Sequence, residues 1–150
     1  MARVHVETWR EAYRGLMSDE ILDDPGFVER RERLWSTALA DEWPGRNRIA
    51  VADSLDGLVG IAMSGPPMDD DTAATRQLYV LYVFRAHYGS GVGQVLLDAV
   101  TDAGETTCLW VADPNPRAQE FYRRNGFAPD GVERIDDGVR EIRMLRPSRS

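Results

Sequence analysis

Three glycines at alternate positions, Gly89, Gly91 and Gly93, stand between an apolar run and an amphipathic stretch. The run is Leu78-Tyr79-Val80-Leu81-Tyr82-Val83-Phe84, and the stretch carries Val92, Val95, Leu96, Ala99 and Val100. Such a run suits a strand buried on both faces, and the spacing of the stretch predicts a helix. Glycine lets the backbone turn sharply and lets a ligand approach the main chain. The first N–H groups of a helix lack intrahelical partners and lie at the positive end of its dipole. The chemistry this could do is to hold a phosphate or pyrophosphate. The same glycines would serve equally in a tight turn under a close-packed helix, and the spacing does not choose between the two. A nucleotide P-loop is excluded, because no Gly-Lys-Ser/Thr ending is present. The dinucleotide fingerprint fails too: counted from Gly89 and Gly91, its third glycine falls on Gln94.

Other reactive groups are few. Cys108 is the only cysteine, which excludes an intramolecular disulfide and a thiolate metal cluster. It lies in mid-strand, and nothing near it in sequence would lower its thiol pKa, so acyl transfer through it is not expected. His5 has an imidazole that titrates near neutrality; so close to the first residue, it is expected to be solvated. The 150 residues predict a single domain, 1–150, and the 43% hydrophobic content is enough for a sizeable core. The formal charge of −7 argues against nucleic-acid binding, which needs a basic footprint, and mildly favours cationic partners such as amines. No apolar stretch approaches the ~20 residues of a membrane span. Met1 to Glu7 carries no signal-peptide core. The expectation is a soluble, cytoplasmic protein.

The elements that must position these groups follow from periodicity. Val6, Trp9, Tyr13 and Leu16 recur at helical spacing, and Gly15 sits near the end of that first helix. Residues 17–23 read as a loop. Asp24-Pro25 reads as a cap and first position of a second helix, whose face is Phe27, Val28, Arg31, Leu34, Trp35 and Ala38 and whose end is Trp43-Pro44-Gly45. Strands are predicted over 48–53 and 58–64, joined through Asp56-Gly57. After the glycine turn and its helix come a strand over 106–111 and a helix opened by Asn115-Pro116. That helix has Ala118, Phe121 and Tyr122 on its inner face and Gly126 at its end. Strands over 127–135 and 139–145 flank Asp136-Asp137-Gly138. The order ααβββαβαββ predicts an α/β (α+β) fold, a mixed sheet with helices on its faces.

The segment Tyr88-Gly89-Ser90-Gly91-Val92-Gly93 resembles the hallmark of the GCN5-related N-acetyltransferase (GNAT) superfamily. That hallmark is Arg/Gln-x-x-Gly-x-Gly/Ala after an aromatic–aliphatic strand; here Tyr88 stands at its first position, a departure that touches one side-chain contact. A second segment resembles the family's other hallmark, with the strand Leu109-Trp110-Val111, Asn115 as helix cap, Ala118, Phe121-Tyr122 and Gly126-Phe127. Trp9 to Leu16 is similar to the opening helix of many small members. The resemblance covers nearly the whole chain and implies the acyl-CoA N-acyltransferase fold. Such folds usually open with a strand before the first helix; here Met1 falls inside that helix, so the strand either is missing or lies upstream of Met1. Its loss would leave an unpaired strand edge, with homodimerisation or local disorder as the consequence.

The resemblance implies an acetyltransferase that uses acetyl-CoA as donor and an amine-bearing small molecule or peptide as acceptor. It assigns the coenzyme A pyrophosphate to the backbone of Tyr88, Gly89, Ser90, Gly91, Val92, Gly93 and Gln94. It assigns the pantetheine arm to Leu81, Tyr82 and Val83, with the Leu81 N–H as donor to the developing oxyanion. Tyr122, whose phenol is protonated at neutral pH, would be the general acid; packing on the sheet is its structural alternative. Asn115 caps its helix and would also touch the cofactor. Trp9 and Tyr13 would line the acceptor pocket or simply pack the core. Asp19, Glu20, Asp23 and Asp24 would attract a cationic amine, or serve as a capping cluster. Many relatives place an acidic base near the start of the central strand, but here Arg76-Gln77 stands there. Glu7, Asp113 and His5 are the substitutes, and no base is assigned. The competing readings are a non-catalytic acyl-CoA-binding module and a regulatory dimer.

Overall fold

The computed structural model describes residues 1–39, 47–55 and 57–149. Helix α1 (Ala2–Tyr13) opens the chain, followed by the short α2 (Asp19–Leu22) and by α3 (Gly26–Leu39). Strands β1 (Arg48–Ser54), β2 (Gly57–Gly65) and β3 (Arg76–Val83) come next, then α4 (Val92–Val100), β4 (Thr107–Ala112), α5 (Pro116–Arg124), β5 (Ala128–Asp136) and β6 (Val139–Arg146). The expected order is present with one addition, α2, in the stretch read as a loop. Ser18 caps α2, its Oγ accepting the Ile21 N–H at 3.3 Å. A helix this short leaves no periodicity to read. The expected helix end at Trp43-Pro44-Gly45 lies outside the described residues, as does Asp56.

The strands form one sheet in the order β1-β2-β3-β4-β6-β5. β4 runs parallel to β3 and antiparallel to β6, and β5 is antiparallel to β6. This is the mixed sheet expected from hairpin-linked strands on either side of a crossover through α4. The β5–β6 turn is made by Asp137 and Gly138, both with positive φ (48° and 79°), the requirement of a two-residue hairpin turn.

The chain gathers into two compact units. The first comprises Met1–Met63 with Val80–Val100, the second Ser64–Tyr79 with Thr101–Ser150. In the first, α1 packs on α3 and α4 on β1. Its core holds Val4, Val6, Leu22, Phe27, Trp35, Ile61, Leu96, Leu97 and Val100. In the second, Leu78, Cys108, Leu109, Val111, Tyr122, Phe127 and Met144 are buried.

Three expectations about helix faces are corrected. Leu16 lies beyond α1 and is exposed, while His5 and Thr8 join the buried face. Val95 is exposed, and Leu97 takes the inward position beside Leu96 and Val100. Leu34 is exposed and Trp35 carries the α3 contact. For Val95 and Leu34 the residue's angular position on the helix, not its hydrophobicity, decides the outcome; Leu16 is exposed because the helix has already ended.

Candidate active site

In the first unit, β3 delivers Leu81, Tyr82 and Val83 half-buried to its C-terminal end. Gly60 of β2 lets the strand be approached closely. A Cβ there would lie 3.2 Å from the Tyr82 carbonyl and 2.9 Å from Leu96 Cδ1. The chain leaves β3 with the Phe84 N–H on the Val59 carbonyl (3.1 Å) and makes one 3-10 turn, Arg85–His87. That turn is tied to α1. Glu11 Oε2 accepts the Arg85 N–H at 2.8 Å, and the Arg85 guanidinium donates to the Glu11 carbonyl at 2.6 Å. Tyr88, 38% exposed, closes the turn with its N–H on the Arg85 carbonyl (3.0 Å).

Gly89 and Gly91 then take left-handed φ values of 77° and 88°. A side chain at either would be strained. Their faces are open: no heavy atom outside their immediate chain neighbours lies within 4 Å of a Cβ built there. Ser90 stiffens the turn, its Oγ donating to the His87 carbonyl (2.5 Å) and accepting the Val92 N–H (3.4 Å). The helix begins as Val95 N–H reaches the Gly91 carbonyl (3.1 Å). The N–H groups of Gly93 and Gln94 are thus among the first-turn donors that an α-helix does not use internally. The first turn of α4 has no acidic residue to oppose an anion. The Gln94 side chain lies along the helix, bonded to Asp98 (3.0 Å). An open glycine cradle on a helix N-terminus fits a diphosphate.

The opening helices build an aromatic cluster in the same unit. The Trp9 and Tyr13 rings are 5.1 Å apart, and Trp9 meets Phe27 at 5.8 Å and Tyr82 at 6.0 Å. His5 belongs to this cluster and is 2% exposed, which corrects the expectation that it is solvated. Burial, with the Arg31 charge nearby, lowers its pKa to about 3, so the imidazole is neutral at physiological pH. The acidic residues between α1 and α3 are largely engaged. Asp19 and Asp23 pair with Arg14 (both 2.9 Å), and Asp24 caps α3 through the Gly26 N–H (2.9 Å) and pairs with Arg30 (3.1 Å). Asp24 thus caps a helix, while Asp19 and Asp23 serve as ion-pair partners of Arg14.

In the second unit, Asn115 caps α5, its Oδ1 accepting the Ala118 N–H at 3.2 Å. Gln119, which sequence reasoning missed, anchors the same helix: its amide donates to the carbonyls of Ala112 (3.0 Å) and Asp113 (2.6 Å) at the end of β4. Tyr122, one turn further, is 9% exposed and packs edge-on against Phe121 (5.4 Å) and Phe127 (5.7 Å). Gln77 is buried, and its Oε1 accepts the Met68 N–H at 2.9 Å. Cys108 is fully buried and its thiol pKa is pushed up by that burial, which agrees with its expected inertness. The β3–β4 ladder comprises three described pairs and ends at Leu78↔Leu109.

Comparison with known proteins places these features in a family. Residues 45–129 match the family model for the acetyltransferase (GNAT) domain. The chain is 23% identical to the uncharacterized N-acetyltransferase YuaI of Bacillus subtilis, over 96% of this chain and 81% of that protein. It is 26% identical to a phosphinothricin N-acetyltransferase of Streptomyces coelicolor, over 75% of this chain and 68% of that protein. The fold matches the crystal structure of the PaiA N-acetyltransferase of Thermoplasma acidophilum in complex with coenzyme A. There the TM-score is 0.71 and the identity 18%, over 97% of this chain and 89% of that chain. With the family model spanning more than half of its residues, this chain belongs to the GNAT family and is an acetyltransferase that uses acetyl-CoA.

Proposed function

We propose that the enzyme transfers the acetyl group of acetyl-CoA to a primary amine of a small-molecule or peptide acceptor, by direct attack in a ternary complex. Residues 1–150 act as one acetyltransferase domain. The observation that carries the reading is the cradle of Gly89 and Gly91, left-handed and open-faced, at the head of a helix without first-turn acids. Acetyl-CoA supplies an activated thioester carbonyl. The chain's own residues bind, orient and move protons around it.

The backbone of Tyr88, Gly89, Ser90, Gly91, Val92, Gly93 and Gln94 holds the diphosphate. Leu81, Tyr82 and Val83 hold the pantetheine arm by main-chain bonds, and the Leu81 N–H stabilises the oxyanion. Tyr122 donates the proton that the leaving thiolate needs. Asn115 fixes the start of the helix that carries Tyr122, and its side chain borders the cofactor. Trp9 and Tyr13 line the acceptor pocket.

No side chain is assigned as base. Among the described residues, Glu7 pairs with Arg10 (2.9 Å) and Asp113 lies 3.7 Å from Arg140. Gln77 has no proton-accepting carboxylate. The amine therefore binds neutral or gives its proton to water. The strand β1 ends the described sheet, and its outer edge is where a second copy would pair in a homodimer.

The test is Tyr122→Phe, followed by thiol release and by thermal shift with acetyl-CoA. Acid catalysis predicts a turnover loss of about 10²-fold or more with the melting shift intact. An unchanged rate removes Tyr122 from the reaction. A wild-type protein that acetyl-CoA stabilises but that releases no thiol with any amine would instead be a binding module.

A further inference from the structure

Among the described residues of the first unit, three N–H groups are buried without a hydrogen-bond partner: His5 Nε2, Trp9 Nε1 and Arg31 Nε. They belong to one cluster. The His5 and Trp9 rings are 5.6 Å apart, and the Arg31 guanidinium carbon lies 5.3 Å from the Trp9 ring and 5.2 Å from that of Phe27. Tyr82 of β3 borders the group, 4.8 Å from His5 and 6.0 Å from Trp9.

All three orphans are donors. Trp35 Nε1 donates to His5 Nδ1 at 3.3 Å, so the neutral ring carries its proton on Nε2. The indole and guanidinium nitrogens can only donate. Burying a donor without an acceptor is costly, and three together demand an explanation. Among the described residues none supplies the acceptor. Arg10, Arg14 and Arg30, on or next to the same helices, each pair with a carboxylate, whereas Arg31 has none among the described residues. A water molecule would leave its own hydrogens without an acceptor among these three groups. Ammonium groups and metal cations are repelled by Arg31.

The group that complements a donor-only cluster is acceptor-only and negative. A carboxylate has two oxygens, several lone pairs and no donor, and it matches the guanidinium fork. Trp9, Tyr13 and Tyr82 are only half-buried, so the cluster borders solvent. We propose that His5, Trp9 and Arg31 form a carboxylate pocket, and that the acceptor is an amine that also carries a carboxylate, as an amino acid does. This rests on the reading of Trp9 and Tyr13 as lining the acceptor pocket. It refines the expectation from net charge, which mildly favours amines: Asp19, Asp23 and Asp24 already pair with Arg10, Arg14 and Arg30.

The test has a binding arm and an acceptor arm. Sodium acetate is titrated into the protein without acetyl-CoA, with sodium chloride and methylammonium chloride as controls. The ring N–H resonances of His5 and Trp9 are followed by NMR, with those of His87 and Trp110 as references. Acetate is expected to move the first pair saturably below about 100 mM, the range of a weak fragment. Methylammonium should not, and Arg31→Gln should weaken the response by about tenfold or more. In the acceptor arm, amino acids are compared with their carboxamides by thiol release. The acids should be better by about tenfold or more, and Arg31→Gln should erase the preference.

Resonances that acetate leaves unmoved, or carboxamides that serve as well as the acids, overturn the proposal. If Arg31→Gln does not fold, acetate against methylammonium on the wild type still decides. Acetyl-CoA is added to the same sample in a thermal shift. A shift with acetyl-CoA but no response to acetate sinks this inference alone, whereas no shift with acetyl-CoA sinks the reading on which it rests.

Discussion

Glu11 and Arg85 hold each other twice, by side chain to backbone in both directions. The Glu11 carboxylate accepts the Arg85 N–H, and the Arg85 guanidinium donates to the Glu11 carbonyl. The link fastens the last turn of α1 to the segment that leads into the glycine cradle. Its energetic effect is local, because both groups are partly solvated and a net hydrogen bond to a charged group contributes about 1.5–3 kcal/mol at most. Glu11→Ala is expected to free the 85–91 turn and weaken acetyl-CoA binding by about tenfold, with a smaller loss of stability. Glu11→Gln keeps an acceptor oxygen and should recover most of the affinity. A calorimetric titration of the two variants with coenzyme A checks this, and equal affinities for wild type and alanine variant would show that the link does not position the cradle.

Gly91 is at φ 88°, with open space before it. A valine there faces two separate penalties. The backbone resists the left-handed conformation, at about 1–2 kcal/mol for an L-residue, and the side chain fills the volume reserved for the diphosphate. The first penalty lowers the melting temperature of the free protein; the second abolishes the shift that acetyl-CoA adds. Gly91→Val is expected to show both. A variant that melts lower but still responds fully to coenzyme A would place the diphosphate elsewhere.

The glycine turn, the capped helix at Asn115-Pro116 and the order of the strands were legible because each rests on local rules. Glycine spacing, a proline at a helix start and alternating or continuous apolar runs are written in consecutive residues. What was not legible depends on residues far apart in the chain. Gln119 reads as an ordinary polar helix residue until the end of β4 presents its carbonyls. His5 reads as a terminal, solvated side chain until Trp35, thirty positions on, closes over it. The acidic run between the first helices reads as a lure for amines until Arg14 and Arg30 are found to occupy it. In the same way, Gln77 reads only as a side chain that cannot take a proton until the fold sets it on the Met68 N–H.

Arg143 is another case of distant residues meeting. Its side chain, 4% exposed, lies on Asp130 (2.6 Å), Asp71 (2.7 Å) and Asp69 (3.5 Å). Asp69 also accepts the Trp110 indole N–H at 2.9 Å. One guanidinium thus ties the loop after β2 to β5 and β6. Arg143→Met keeps much of the apolar stem and removes the charge, leaving three carboxylates facing one another. Breaking a buried pair in this way costs about 3–5 kcal/mol. Urea denaturation should show a loss of this size. A loss below about 1 kcal/mol would mean that solvent already screens the cluster, as it does for surface pairs.

His5 makes the stability of the fold depend on pH in a window of its own. Its pKa is 6.5 when unfolded and about 3 when buried among Trp9, Trp35 and Tyr82. Between those values the unfolded chain binds a proton that the native chain refuses. Stability is therefore full above pH 6.5 and falls as the pH drops toward 3, by about 1.4 kcal/mol per unit where the difference is one whole proton. Asp71, held low by Arg143, adds a loss of the same sign, but only below the ordinary carboxylate value of 3.8. Burial holds Glu141 above its ordinary 4.5, which contributes with the opposite sign. The comparison that isolates His5 is therefore wild type against His5→Gln between pH 4.5 and 6.5, since every other group is common to both. The wild type should lose stability through this window and the variant should lose less, by up to one proton in slope. Parallel curves would mean that the imidazole takes up its proton without leaving the folded state.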